Sequence, residues 1–187
     1  APLDMRFDME SNFSAYDVVN TYSEDELVRI FSEYGEERFS KRIAKKIVEV
    51  RRSKPIRTTK ELADIIIAAT PRIKSNIHPA TRVFQAIRIE VNNELGILEN
   101  TFKTAVKHLN KGGKIAVITF HSLEDRITKN VFKELSRGCI CPPHLPICVC
   151  NHKPEIKLCS KAIKPSKYEM DDNSRSKSAK LRVAEKL

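Results

Sequence analysis

Residues 112–125, Gly-Gly-Lys-Ile-Ala-Val-Ile-Thr-Phe-His-Ser-Leu-Glu-Asp, decide the fold class of this 187-residue chain. Lys114 to Phe120 is a β-branched apolar run behind a glycine pair, which predicts a strand buried on both faces of a parallel sheet. His121 and Ser122 then open a helix predicted over residues 123–136. A glycine turn, a buried strand, a polar elbow and a helix form one unit of a doubly wound α/β sheet, whose ligands lie at the carboxyl ends of strands.

The polar elbow after this strand, residues 120–126 (FHSLEDR), is the first candidate site for chemistry. A Ser–His hydrolase is discounted, because such an enzyme needs a G-x-S-x-G turn and Ser122 stands between His121 and Leu123. One interpretation is structural: Ser122 caps the helix and acidic side chains favour its amino end. The other interpretation is that some of these polar groups position a substrate.

Two further strands are predicted at residues 156–163 and 179–185, where apolar and polar residues alternate. Because the connection between them is short, we expect an antiparallel pair at the edge of the sheet. Cys159 is predicted to be a core residue of the first of these strands.

Upstream of the glycine pair the sequence predicts helices. Ser23 with Glu26, and Thr58 with Glu61, have the spacing of capping boxes. Apolar residues follow each pair at helical intervals. The N-terminal half is therefore predicted to be helical.

Residues 79–109 are predicted to form a long helix that is broken or kinked near Gly96. Arg82, Gln85 and Arg88 are spaced three apart on it, so they share one face opposite the apolar positions. Arginine and glutamine on one face can bind phosphates and base edges. A solvated helix face explains the same residues equally well.

Charge is unevenly distributed along the chain. Residues 1–37 carry two Arg against ten Asp or Glu, whereas residues 38–60 carry ten Lys or Arg against one Glu. The formal net charge of +10 suits a polyanionic partner. Lys41 and Lys45 lie on the basic side of a helix predicted over residues 36–52. Solvated helix surfaces are the alternative explanation.

Residues 137–154 are predicted to form a loop rich in Cys, Pro and His. Two C-x-C pairs across a short loop could close a tetrahedral structural zinc site. Ordinary thiols in a reducing cytosol are the alternative. The candidate ligands are Cys139, Cys141, Cys148 and Cys150.

Several functional classes are excluded by what the sequence lacks. Its longest apolar stretch is too short to cross a bilayer, so no membrane partner is expected. The opening Ala-Pro-Leu-Asp has no basic-then-apolar leader, which favours a cytoplasmic protein. The five glycines form no G-x-G pair, so neither a dinucleotide fingerprint nor a phosphate loop is predicted.

Sequence words in a fixed order along the whole chain resemble the bacterial small-subunit ribosomal RNA cytosine-N4 methyltransferases, the RsmH or MraW family. The most distinctive words are Pro-Leu-Asp-Met-Arg-Phe-Asp (2–8), His-Pro-Ala-Thr-Arg (78–82), Phe-Gln-Ala-Ile-Arg-Ile (84–89), Gly-Gly-Lys-Ile-Ala-Val-Ile (112–118), Phe-His-Ser-Leu-Glu-Asp-Arg (120–126) and Arg-Ser-Lys-Ser-Ala-Lys-Leu-Arg (175–182).

The resemblance implies an S-adenosylmethionine-dependent enzyme with a Rossmann-like methyltransferase fold and an inserted all-helical domain. It implies that residues 1–13 connect to the core, that residues 14–90 form the helical insertion for RNA recognition, and that residues 91–187 form the C-terminal part of the core. The implied substrate is a cytosine in the decoding region of 16S rRNA in the small ribosomal subunit. The family's donor-binding motifs lie upstream of Pro-Leu-Asp-Met-Arg. The chain is therefore expected to be a C-terminal portion that is inactive alone, with no cofactor-binding residue assigned.

The candidate residues follow from position in this template. His121, Ser122, Glu124 and Asp125 are expected to edge the pocket for the acceptor base. The expected RNA contacts are Arg82, Gln85, Arg88, Arg126, Arg175, Lys41 and Lys45. The alternative function is an RNA- or ribosome-binding module without catalytic activity. The oligomeric state is left open, a homodimer included.

Overall fold

A computed structural model describes residues 1–71, 77–142 and 149–187. These residues form two compact units, Ala1–Glu94 and Leu95–Leu187. The first unit is helical and contains α1 (Ala15–Thr21), α2 (Glu24–Glu33), α3 (Ser40–Arg51), α4 (Thr59–Ala69) and α5 (Thr81–Asn92). No helix in these three described ranges is long and apolar enough to cross a membrane.

Both predicted capping boxes are confirmed in the helical unit. At the start of α2, Ser23 Oγ accepts the Glu26 N–H at 3.2 Å, while the Glu26 carboxylate accepts the Ser23 N–H at 2.7 Å. Thr58 and Glu61 make the same exchange at the start of α4, at 3.2 and 2.9 Å. These bonds satisfy backbone donors that the helix itself cannot pair.

The core of the helical unit is formed by the apolar faces of α2, α3, α4 and α5. At Gly35, just after α2, an added Cβ would lie 2.7 Å from the carbonyl oxygen of Arg82. Glycine therefore lets the end of α2 approach the backbone of α5. The large, fully buried side chains of this core include Leu27, Ile30, Phe31, Ile43, Ile47, Leu62, Ile66 and Ile87.

The break predicted near Gly96 in the helical stretch 79–109 is confirmed, and it separates two helices. Helix α5 ends at Asn92, because Asn93 adopts the left-handed conformation with φ of 48°. Asparagine tolerates this conformation better than most residues and commonly ends helices in it. A separate helix, α6 (Leu98–His108), follows in the second unit.

The second unit packs helices against a small sheet. After α6 come β1 (Lys114–Thr119), α7 (Ser122–Leu135), β2 (Ile156–Leu158), α8 (Lys167–Asp172), a 3₁₀ helix (Ser174–Ser178) and β3 (Lys180–Lys186). The strand order is β1-β3-β2, and β3 is antiparallel to both neighbours. The predicted α/β class and the antiparallel pairing of the last two strands are therefore confirmed.

The environment predicted for the first strand is wrong in two respects. Within the described residues β1 pairs only with β3, in antiparallel register, and Ile118 is 60% exposed. The reason is that the core lies on one face of the sheet only, where Phe102 of α6 and Phe132 of α7 pack against Ile115 and its neighbours. The opposite face of β1 is open.

The first of the two late strands is shorter than predicted. Strand β2 ends at Leu158, and the following Cys159 is exposed rather than part of the core. The backbone N–H of Cys159 still donates to the Val183 carbonyl at 3.0 Å. Backbone pairing with β3 thus continues one residue beyond the regular strand.

Candidate functional site

The elbow between β1 and α7 is fixed by a side chain of its own helix. Glu124 Oε2 accepts the backbone N–H of Phe120 at 2.8 Å and that of His121 at 3.2 Å. A carboxylate at this position also interacts favourably with the positive end of the helix dipole. The sequence therefore determines locally how the strand turns into the helix.

His121 occupies the turn with an imidazole whose hydrogen bonding is unsatisfied. Its Nε2 atom lies 3.3 Å from Glu124 Oε1, and only 13% of the side chain is exposed. The contact is not aligned as a hydrogen bond, and within the described ranges neither ring nitrogen has a hydrogen-bond partner although both are buried. Leaving a buried polar atom unsatisfied costs about 1–3 kcal/mol. Such a cost needs an explanation, and a ligand that pairs with the ring supplies one.

Glu124 is an ionised carboxylate at this turn. Burial opposes its ionisation, but the His121 ring and the N–H groups of Phe120 and His121 outweigh burial, so the Glu124 pKa lies below its usual value. The carboxylate beside Nε2 is a hydrogen-bond acceptor, so it favours the tautomer that carries a proton on Nε2. In that tautomer, Nδ1 is the hydrogen-bond acceptor.

Asp125 joins the elbow to the sheet. Its Oδ1 lies 2.7 Å from Arg182 Nε and its Oδ2 lies 2.8 Å from Lys180 Nζ, both on β3. The hydrogen bond from Arg182, helped by the one from Lys180, holds the Asp125 pKa below its usual value. Asp125 therefore bonds to two cations of the protein itself.

Three further candidates, Ser122, Arg126 and Arg175, are exposed. Ser122 and Arg126 lie in the first turns of α7 with exposed side chains. Arg175 is exposed on the 3₁₀ helix, and its backbone N–H donates to Asn173 Oδ1 at 3.1 Å. The N-cap and first turn of α7 thus bring together the four candidates His121, Ser122, Glu124 and Asp125.

The candidate RNA contacts on α5 differ in how strongly the protein engages them. Arg82 is exposed and donates one hydrogen bond, from Nη1 to the Glu36 carbonyl at 3.0 Å. Arg88 donates to the Glu94 carboxylate from Nε at 2.8 Å and from Nη2 at 2.9 Å. Gln85 is half-buried. A cavity of about 170 Å³ beside Arg82 is also lined by Arg38 and His78.

Lys41 and Lys45 are exposed on α3. The neighbouring Lys46 pairs with Glu49 at 3.1 Å. Neither Lys41 nor Lys45 makes a hydrogen bond or an ion pair with another side chain among residues 1–71, 77–142 and 149–187. Their charges therefore face solvent without compensation.

One basic surface was missed by sequence reasoning. A cavity of about 430 Å³ in the second unit is lined by Lys129 and Lys133 of α7, by Lys161, and by Arg182 of β3. Its described lining contains no acidic residue. The four-residue spacing of Lys129 and Lys133 on one helix was the available signal.

An exposed aromatic residue was also missed. Phe7 is 70% exposed, and its backbone N–H donates to Asn92 Oδ1 at 2.7 Å. Asn92 Nδ2 donates in turn to the Met5 carbonyl at 2.8 Å, and Met5 has a φ of 64°. A strained segment anchored by an amide thus presents an aromatic ring to solvent.

Three of the predicted metal ligands lie together. The sulfur atoms of Cys139 and Cys150 are 3.8 Å apart, and the Cys141 sulfur lies within 4.8 Å of both. The fourth predicted ligand, Cys148, lies outside the described residues.

Comparison with known proteins finds similar proteins that share one name. A methyltransferase named "Ribosomal RNA small subunit methyltransferase H" from Clostridioides difficile (strain 630) is 59% identical over 191 residues, covering 100% of this chain. Proteins of the same name from Clostridium botulinum (strain Loch Maree / Type A3) and Caldicellulosiruptor saccharolyticus are 58% and 56% identical, covering 100% and 99% of this chain. The chain spans 61% of the length of each of these relatives.

The family model of the MraW methylases matches residues 1–187. A small sheet with helices packed on it and a separate helical unit are consistent with part of a Rossmann-like methyltransferase. Since the match covers every residue of the sequence, the chain belongs to the MraW methylase family.

Proposed function

We propose that this chain is the acceptor-side and RNA-recognising part of an S-adenosylmethionine-dependent enzyme that methylates N4 of a cytosine in 16S rRNA. The family and the printed names of the relatives support methylation of small-subunit ribosomal RNA. The atom N4 and the decoding region come from the sequence resemblance. Such an enzyme acts on ribosomal subunits in the cytoplasm. The observation that carries the proposal is the buried, unsatisfied imidazole of His121 where β1 ends.

The described residues do not account for binding of the methyl donor. A site for an adenosine-containing cofactor in this fold class usually has a glycine-rich turn directly after a strand. The residues after β1 are Phe120, His121 and Ser122, and Gly112 and Gly113 precede that strand. We therefore assign no donor contact to this chain and derive its chemistry on the acceptor side alone.

His121 is proposed as the group that handles the cytosine amine. The exocyclic amine is a poor nucleophile because its lone pair is delocalised into the ring, so the base must be turned out of its stack and held in line. Nδ1 of the neutral His121 ring accepts a hydrogen bond from the amine, and takes up the proton that the nitrogen loses. Glu124 orients the ring from the opposite side.

Exposed cations are proposed to bind the RNA backbone. Residues 95–187 carry 18 Lys or Arg against nine Asp or Glu, so this unit attracts phosphates. Lys129 and Lys133 in the basic cavity, and Lys41 and Lys45 on α3, are the strongest candidates, because no carboxylate of the described residues pairs with them. Arg82, Arg126 and Arg175 are exposed secondary candidates.

Phe7 is proposed to stack on an unpaired base. Its ring is exposed, and its backbone is held by Asn92, so a stacking contact would cost little additional ordering. Stacking of a base on an aromatic ring contributes about 1–3 kcal/mol.

The test of this assignment is the salt dependence of RNA binding. The 187-residue chain is titrated with a decoding-region RNA fragment at several salt concentrations, and fluorescence anisotropy reports the Kd. Replacing Lys41 and Lys45 by Ala should lower the slope of log K against log salt by about 1.4–1.8, since each phosphate contact contributes about 0.7–0.9.

Lys46→Ala is the matched control, because Lys46 lies on the same helix but is paired with Glu49. It should leave the slope nearly unchanged. Equal slopes for the wild-type chain and the double variant would remove α3 from the RNA interface. The same comparison for Lys129 and Lys133 uses Lys103→Ala as control, because Lys103 pairs with both Glu99 and Glu134.

A second function, RNA binding without catalysis, is favoured by the exposed Lys41 and Lys45 on α3, which pair with no carboxylate of the described residues. Calorimetric titration of S-adenosylmethionine into the chain tests whether it binds the methyl donor. RNA binding without donor binding fits a chain that needs further residues for catalysis. Micromolar donor binding would show that the described units contain a donor site that we have not assigned.

A further inference from the structure

We infer that the loop between α7 and β2 holds a structural zinc ion through the thiolates of Cys139, Cys141 and Cys150. This inference is independent of RNA methylation. Tetrahedral ligands about 2.3 Å from zinc are separated from one another by about 3.8 Å. The Cys139 and Cys150 sulfur atoms are 3.8 Å apart, and all three sulfur atoms lie within 4.8 Å of one another.

The separation fits a shared metal and not a disulfide. A disulfide bond is about 2.05 Å long, far shorter than the distance between Cys139 and Cys150. Cys139 and Cys150 are 11 positions apart in the chain. Asn151, directly after Cys150, adopts the left-handed conformation with φ of 47°.

The surroundings of the sulfur atoms favour thiolates and a soft metal. The backbone N–H of Cys141 points at Cys139 Sγ at 3.4 Å, a contact that stabilises negative charge on sulfur. Residues 137–153 contain Arg137 and Lys153 and no Asp or Glu. With sulfur ligands and no carboxylates, zinc is preferred over magnesium or calcium.

The described residues of the loop form little regular structure. Its base is closed where the Glu155 N–H donates to the Leu135 carbonyl at 2.8 Å. Between Leu135 and Ile156 the described residues form no helix or strand. Ile140 and Val149 are 58% and 71% exposed, so they contribute little apolar packing. A metal that crosslinks Cys139, Cys141 and Cys150 would order this loop.

The test is metal content and spectroscopy of the 187-residue chain. The protein is purified under reducing conditions without added metal, and its zinc content is measured by inductively coupled plasma mass spectrometry. We expect close to one zinc per chain. After removal of zinc with a chelator, added Co²⁺ should give the intense visible bands of tetrahedral cobalt bound to thiolates.

The variants separate the cluster from other thiols. Cys139→Ser with Cys150→Ser should lose the cobalt bands and most of the zinc. Cys159→Ser is the control, since Cys159 is exposed and is not one of the three clustered thiols. It should keep both. Circular dichroism of each variant shows whether the helices and the sheet remain folded.

Proteolysis tests the structural role. Trypsin cleaves after Arg137, at the start of the loop, whereas the bond after Lys153 is protected by Pro154. With zinc bound, cleavage after Arg137 should slow by about tenfold or more relative to the chelated chain, because metal binding reduces the population of open loop. The inference is overturned if the wild-type chain holds no zinc and gives no thiolate–cobalt bands, if Cys159→Ser loses metal as the double variant does, or if zinc leaves the cleavage rate unchanged.

Discussion

Asp125 Oδ1 lies 2.7 Å from Nε of Arg182, and this ion pair fastens the first turn of α7 to the central strand of the sheet. Arg182 stands opposite Val117 in the β1–β3 register, so the contact reaches the strand that leads into the elbow. Lys180, two residues before Arg182, binds the other carboxylate oxygen at 2.8 Å. The start of α7, which follows His121 directly, is therefore held by a carboxylate that binds two cations of β3.

Asp125→Asn should destabilise the second unit by about 2–3 kcal/mol. The carboxylate is only 12% exposed, and its removal leaves two partly buried cations without a counter-charge. Breaking a fully buried pair costs about 3–5 kcal/mol, and the residual exposure reduces that figure. Hydrogen exchange of the α7 amides, measured by mass spectrometry, reports the opening free energy of this unit.

Glu99→Gln is the control for Asp125→Asn. Its ion pair with Lys103 is an exposed contact within α6, and such pairs contribute little to stability. If the two variants changed exchange in α7 by the same amount, the network around Asp125 would have no special role.

The stability of the second unit should depend on pH through the ionisation of Asp125. Its pKa is lower in the folded chain than in the unfolded chain, so the unfolded state binds more protons and stability rises with pH. The contribution is complete above the usual Asp pKa of about 3.9 and is lost as the pH falls through the lower folded value. Exchange measured from neutral pH down to strong acid should show this loss in the wild type. The slope of the opening free energy against pH should be clearly smaller in Asp125→Asn. An unchanged slope would refute the role assigned to Asp125.

Local features of the sequence predicted much of the fold. Ser23 and Thr58 correctly predicted where α2 and α4 begin, because a capping box depends only on residues three positions apart. The environment of β1 was not predictable, since an apolar run does not show which faces its neighbours will cover. Asn93 ended a helix whose apolar pattern continued past it.

The candidate site was predicted in part for the same reason. His121 and Glu124 are neighbours in sequence, so their association could be anticipated. The partners of Asp125 lie 55 and 57 positions away on a strand, and no spacing rule connects them. The proximity of Lys161 to Lys129 and Lys133 likewise arises only when the sheet and α7 pack together.

Gly35→Ala should destabilise the helical unit by about 1–3 kcal/mol. The new Cβ would lie 2.7 Å from the Arg82 carbonyl and 2.8 Å from that of Phe31, and neither backbone atom can move without shifting a helix. Gly138→Ala is the control, because its Cβ would meet nothing closer than 4.0 Å. Urea denaturation followed by circular dichroism measures both, and equal midpoints would contradict the tight approach of α2 to α5.

His121→Ala should reduce methyl transfer by the enzyme that carries this sequence by about 10²–10⁴-fold, the usual contribution of a positioned acid–base group. RNA affinity should change less than twofold, because the ring is mostly buried and does not bind phosphates. His121→Asn, whose amide oxygen can take the place of Nδ1, should retain part of the activity. A loss of RNA affinity equal to the loss of rate would instead assign His121 to binding.

The central claim is tested most directly by identifying the methylated nucleoside. The enzyme that carries this sequence is incubated with methyl-labelled S-adenosylmethionine and small ribosomal subunits that lack the modification, and the 16S rRNA is digested to nucleosides for mass spectrometry. The account predicts label in N4-methylcytidine from one position of the decoding region, and its loss in His121→Ala. Label on a ring carbon, in another nucleoside or in no RNA at all would contradict it.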